Sequence, residues 1–153
     1  IFRRSREMAR TGEAAAPRVR DRGREWRRHM ASNNNKVVIN LATGLEDPER
    51  VTVAFLVGGA PTQQGKDVVM FLTKEAVRLG LDGTAEATAC EGCPPLSTLF
   101  RQYADGGGEL LVCPICFQAR KLEEGSLVAN ARLAGATPLW EWIGSAEAAV
   151  FSY

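Results

Sequence analysis

Four cysteines stand in two pairs of the same spacing, Cys90-Glu-Gly-Cys93 and Cys113-Pro-Ile-Cys116, with nineteen residues between the pairs. Thiolates so arranged support three kinds of chemistry. All four sulfurs can close a tetrahedron around one zinc ion, which would make zinc the cofactor. A pair can cycle between dithiol and disulfide, with Cys113 joined to Cys116 or with the Cys90 loop supplying a resolving thiol. A single thiolate can also act as a nucleophile that carries a transferred group, and then no cofactor is needed. Against zinc, the residues between the pairs spell an amphipathic helix and a buried strand rather than a tight knuckle, and a body of this size folds without a metal. The plainest alternative is four small buried side chains, since cysteine is among the most buried residue types.

Cys113 is distinguished by its place. The apolar run ELLV ends on it, and Pro114 opens a helix behind it, so Cys113 falls at a strand's carboxyl end and at a helix N-cap. Open α/β sheets put their sites at such ends, and a thiolate there is stabilised by backbone N–H groups and the helix dipole. Cys116 follows one turn on. The single histidine, His29, lies far from this region, so no Cys-His pair is available and acid–base work falls to Glu91, Lys121 or a second thiol. The loop ATGLED lacks the glycine spacing and lysine of a phosphate-binding loop, and its acids repel phosphate.

The elements that must hold these cysteines read as alternating strands and helices. KVVINL (36–41), DVVMFL (67–72) and ELLV (109–112) are strands, the second apolar throughout, as a strand covered on both faces is. Asp47 and Pro48 start a helix, which Gly58, Gly59 and Pro61 should shorten or bend. Thr73 is expected to cap a short helix, KEAVRLG. The first cysteine pair lies in a loop over 81–94. Leu96, Leu99, Phe100 and Tyr103 mark a helical stripe stopped by Gly106 to Gly108, and FQARKL a helix after Cys116. ARLAG, ATPLWEWIG and AAVFSY read as a strand, a helix and a last strand. The sum is a three-layer α/β/α sandwich around a parallel sheet of about five strands.

Residues 1–35 differ from this body. The first 29 hold ten arginines against four acids, which leaves nine bases and fourteen acids beyond them. With almost no apolar periodicity the segment reads as disordered, an upstream extension of a domain over 36–153. Its alternative as a basic arm for nucleic acid is disfavoured because aromatics for base stacking are nearly lacking. No run approaches eighteen apolar residues, and neither a membrane helix nor an export signal is readable, the Arg3-Arg4 pair included. Thiols in a chain of this kind indicate a reducing compartment, the cytoplasm.

ELLVCPICFQARKL resembles the segment of DsrE/DsrF-like (YchN-like) sulfur-relay proteins in which a strand delivers a cysteine to a helix ending in an Arg-Gly or Arg-Lys element. DVVMFLTKEAVRLGL is similar to that family's second strand and following short helix, and the order of elements agrees from Lys36 to Tyr153. The resemblance implies a parallel fold of the Rossmann or flavodoxin kind and persulfide sulfur carried on Cys113, as a sulfurtransferase or carrier with protein donors and acceptors. Cys90, Cys93 and Cys116 are extra to the simplest family pattern. CPICFQARKL also resembles a glutaredoxin site, but that fold puts its motif after the first strand, whereas here two βα units precede it. A peroxiredoxin-type threonine is missing before both pairs.

Assembly follows from surplus apolar surface. The helix VTVAFLV is apolar around most of its circumference, and Trp140 and Trp142 suit packing or a subunit contact better than a pocket. A homo-oligomer is expected, and the resemblance implies a trimer or a hexamer.

Overall fold

A computed structural model describes residues 35–153. The expected disorder of the N-terminal segment, its nucleic-acid alternative and His29 lie outside them. The apolar runs pair as their composition requires. β1 (Lys36–Leu41), β2 (Asp67–Leu72), β3 (Glu109–Val112), β4 (Ala131–Leu133) and β5 (Ala148–Ser152) form one sheet in the order β4-β3-β2-β1-β5. Every pairing is parallel. Strands that all run one way need a crossover between them, and the helices supply it.

Alternation along the strands divides their side chains between two layers. Val37, Ile39 and Leu41 of β1, Val68, Met70 and Leu72 of β2, and Leu110 and Val112 of β3 face the larger core. Over them lie helices α1 (Pro48–Thr62) and α3 (Leu96–Asp105). Val38, Val69 and Leu111 face the other way, toward Leu139, Trp142 and Ile143 of α5 (Ala136–Ile143). This second layer is held at its end by Lys36, whose ammonium donates to the carbonyls of Trp142 and Ile143 and lies 5.0 Å from the Trp142 ring centroid. A cation at the last carbonyls of a helix satisfies groups that have no partner within the helix.

Helix α1 begins as expected, with Asp47 accepting from the Arg50 N–H and proline in the first turn. It does not end as expected. It runs for 15 residues through Gly58, Gly59 and Pro61. Gly58 is buried because the helix lies close to the sheet, and a Cβ there would stand 2.5 Å from Met70 Cε and 3.3 Å from Ile39 Cγ1. Pro61 falls in the final turn, where Thr62 Oγ1 donates to the Gly59 carbonyl at 2.7 Å.

The short helix KEAVRLG is present with the expected bounds, Lys74–Gly80, as a 3-10 helix, but the expected capping bond from Thr73 is not made. Its entry is left-handed, with Lys74 at φ 47°. The loop over 81–94 contains a one-turn helix, α2 (Thr84–Ala87), and the helix after β3, α4, starts earlier than FQARKL, spanning Pro114–Ala119. No helix among the described residues is long and apolar enough to cross a membrane.

Tyr103 joins α3 to the sheet. Its hydroxyl lies 2.6 Å from the Glu109 carbonyl and 3.3 Å from that of Val68, and burial pushes the phenol above its ordinary range, so it stays a donor. Tyr103→Phe removes this bond from a dry site. It is expected to lower unfolding stability by about 1 kcal/mol, read from the urea midpoint at unchanged slope.

Candidate functional site

The carboxyl ends of the strands lie side by side, and four segments meet there. Ala42 to Asp47 leave β1, the 3-10 helix leaves β2, Cys113 leaves β3, and Ala134 leaves β4. A ladder of backbone bonds fixes their heights: Thr73 N–H to the Leu41 carbonyl, Cys113 N–H to that of Leu72, and Ala134 N–H to that of Val112, each 2.9 Å. Cys113 is thus placed by the sheet itself.

Cys113 takes the N-cap position of α4 with extended backbone, φ −60° and ψ 116°, but its side chain makes no capping hydrogen bond. The expected stabilisation by helix-end N–H groups is not seen in the bonding: Pro114 takes the first position of the six-residue α4, as Pro48 does in α1, but here the capping side chain accepts no N–H. Cys113 and Cys116 are both free thiols, half-buried against the core. Ile115, between them, is 80 % exposed.

The first pair is in a different state. Cys90 and Cys93 are joined by a disulfide, with Cα atoms 5.4 Å apart. Cys90 Sγ lies 3.6 Å from Thr52 Oγ1 on α1. Among the described residues no three side chains of His, Cys, Asp or Glu come together as a group able to hold a metal, so the four cysteines are not gathered at one point. Glu91 is exposed in the disulfide loop, and Lys121 is exposed beyond α4 with φ 51°.

Two residues not singled out from the sequence tie the site together. Glu75, on the 3-10 helix, accepts from Arg120 Nε and Nη2 at 2.7 Å through one carboxylate oxygen and from Arg78 Nε at 3.0 Å through the other. Arg120 Nη1 also donates to the Cys116 carbonyl at 3.0 Å. The carboxylate therefore links the turn after β2 to the helix that carries Cys116. Gly44, from the loop after β1, packs so closely on Glu75 that a Cβ would stand 2.6 Å from its carbonyl carbon and oxygen. The Glu75–Arg78 spacing of three was visible as a local pair. The Arg120 partner, 45 residues away, was not.

Hydrogen bonds from Arg120 and then Arg78 hold the Glu75 carboxyl below its ordinary value of 4.5. A group whose folded value is depressed contributes stability above its unfolded value and loses it as the pH falls through the folded one. Glu75→Gln is therefore expected to lower the urea midpoint relative to wild type near neutral pH. The gap should close as the pH drops below 4.5. A gap that persists unchanged into acid would show that the charge on Glu75 does not hold the clamp.

The described residues thus form an open parallel α/β sheet with a free cysteine at the carboxyl end of β3. The model of the DsrE/DsrF-like family matches residues 35–151, and the chain belongs to that family. Its fold is similar to the crystal structure of the ychN protein from E. coli, with a TM-score of 0.61 and 17 % identity over 77 % of this chain and 99 % of that one. It is also similar to a conserved protein of unknown function from Bacteroides thetaiotaomicron, with a TM-score of 0.55 and 18 % identity over 80 % of this chain and 98 % of that one. No curated protein matches the sequence.

Proposed function

We propose that the protein is a sulfur-relay carrier of the reducing cytoplasm that holds a sulfane sulfur as a persulfide on Cys113. The carrying observation is that Cys113 is a free thiol delivered by β3 to the top edge of the sheet in a chain of the DsrE/DsrF-like family. In the loading step the Cys113 thiolate attacks the outer sulfur of a donor persulfide. A new S–S bond forms on Cys113, the donor's S–S bond breaks, and the donor leaves as a thiolate. In the unloading step an acceptor thiolate takes the same outer sulfur and Cys113 returns to the thiolate. Neither step needs an external oxidant or a metal. Exposed Ile115 beside the thiol is apolar surface on which a donor or acceptor protein can rest.

The test is intact mass of the reduced protein after incubation with a cysteine-desulfurase donor or thiosulfate. One added sulfur, removed again by an acceptor thiol, supports the carrier. No adduct overturns it, and about one zinc per chain, released by thiol oxidation, would establish the four-cysteine metal centre in its place.

The same reading includes self-assembly as a trimer or hexamer. Val53 and Leu56 on α1 are 40 % and 45 % exposed, Leu45 is 45 % exposed, and Trp140 on α5 is 69 % exposed. Leu56 also lines a shallow groove between α1 and α3 with Gly59, Ala60 and Leu99. Light scattering on residues 30–153 should give a multiple of the chain mass, and Leu56→Asp should reduce it. A monomer at micromolar concentration would show that these side chains face water.

A further inference from the structure

Two cysteine pairs of equal spacing stand in different states in one chain, and their backbones differ as well. Cys90 to Cys93 form a tight turn, closed by the Cys93 N–H donating to the Cys90 carbonyl at 3.2 Å. Gly92 holds its third position at φ 76°, the left-handed conformation that such a turn demands and that a side chain resists. The turn brings the two Cα atoms to 5.4 Å, inside the range a disulfide spans. At the second pair Pro114 starts a helix instead, and both thiols stay free.

The closed turn is poorly suited to be a structural staple. A cross-link over four residues constrains the unfolded chain little. Its neighbours Glu91, Gly92, Pro94 and Pro95 are exposed, so small molecules reach the sulfurs. The contact with Thr52 favours the open form. Buried Thr52 has one hydroxyl proton, which it donates to the Pro48 carbonyl at 2.8 Å. Its oxygen, 3.6 Å from Cys90 Sγ, is thereby left as an acceptor, and only a thiol can donate to it. Oxidation is favoured by the turn and reduction by this extra hydrogen bond.

We propose that Cys90–Cys93 is a second redox site, separate from Cys113, that exchanges reversibly with small thiols and disulfides of the glutathione class. On oxidation one of the two thiolates attacks the small disulfide, forming a mixed disulfide and releasing one small thiol. The other then displaces the second small thiol and closes the ring. Two protein thiols become one disulfide while one small disulfide becomes two thiols. The site does not depend on sulfur transfer at Cys113.

The experiment uses the Cys113→Ser, Cys116→Ser double variant equilibrated in glutathione buffers of graded thiol to disulfide ratio, then acid-quenched, alkylated and weighed. The expected result is one transition between no added alkyl group and two. Gly92→Ala, where a Cβ meets nothing within 4 Å, strains only the turn and should lower the equilibrium constant for closure about fivefold. Thr52→Val removes the acceptor of the reduced form and should raise it about twofold, while Thr52→Ser leaves it in place. Peptide mapping of the wild-type chain keeps the result readable if the double variant is unstable. Two alkyl groups at every ratio, none even in excess thiol, or a Gly92→Ala midpoint equal to that of the parent would each overturn the proposal.

Discussion

Replacing Cys113 with serine is expected to abolish sulfur uptake, so that the mass increase of one sulfur seen after incubation with a persulfide donor disappears completely. A serine oxygen does not form a persulfide under these conditions, and Cys116 remains as the control thiol one turn further on. The fold should survive the change. Cys113 is only half-buried, its position is set by its backbone bond to Leu72, and its side chain makes no capping bond that serine would have to reproduce. Stability should therefore stay within about 1 kcal/mol of wild type. Cys116→Ser is the informative companion, because Cys116 can attack the inner sulfur of a persulfide on Cys113 and expel hydrogen sulfide, leaving a Cys113–Cys116 disulfide. Without it the adduct should form equally and decay more slowly. An adduct that persists in Cys113→Ser and vanishes in Cys116→Ser would transfer the carrier role to the second thiol.

Truncating Phe55 to alanine should have the largest effect on folding. Phe55 is 1 % exposed, and its ring meets Phe100 at 5.4 Å between centroids and Tyr103 edge-on at 5.7 Å. These contacts help join α1 to α3 above the sheet. A phenyl group removed from so enclosed a place leaves a cavity that neighbours on a stiff sheet fill poorly. The expected loss is about 3–5 kcal/mol. In a domain of this size that lowers the thermal midpoint by about 12–20 °C. Leu56→Ala, one residue on, separates folding from assembly. Its side chain points outward, so the same truncation should barely change unfolding of the isolated chain while weakening the oligomer. A loss below about 1 kcal/mol for Phe55→Ala would mean that α1 and α3 are not packed as described.

The bounds of β1, β2 and β3 were legible residue by residue, because each is a mainly apolar run that starts on a charged residue and stops where the apolar run does. The start of α1 was legible for the same kind of local reason, a capping aspartate followed by proline. The end of α1 was not. Gly58 reads as a helix breaker until the sheet is present, and then it is the one residue small enough to let the helix lie on Met70 and Ile39. The same limit applied to the 3-10 helix, whose left-handed entry at Lys74 carries no local mark.

At the site, the type and place of Cys113 were written in the chain, since a strand running into Cys-Pro leaves the thiol at the sheet's edge. The two cysteine pairs differ in backbone geometry that equal spacing conceals, a left-handed turn at Gly92 against a helix start at Pro114. The clamp from Glu75 to Arg120 depended on more. Parallel pairing of Leu72 with Val112 brings the two strand ends together, and the side chains that follow them meet across 45 residues of sequence. A single strand carries its own apolar pattern but not the identity of its neighbour. Which strand ends lie side by side is settled only when the whole sheet closes, and with it which charged side chains pair beside the helix that carries Cys116.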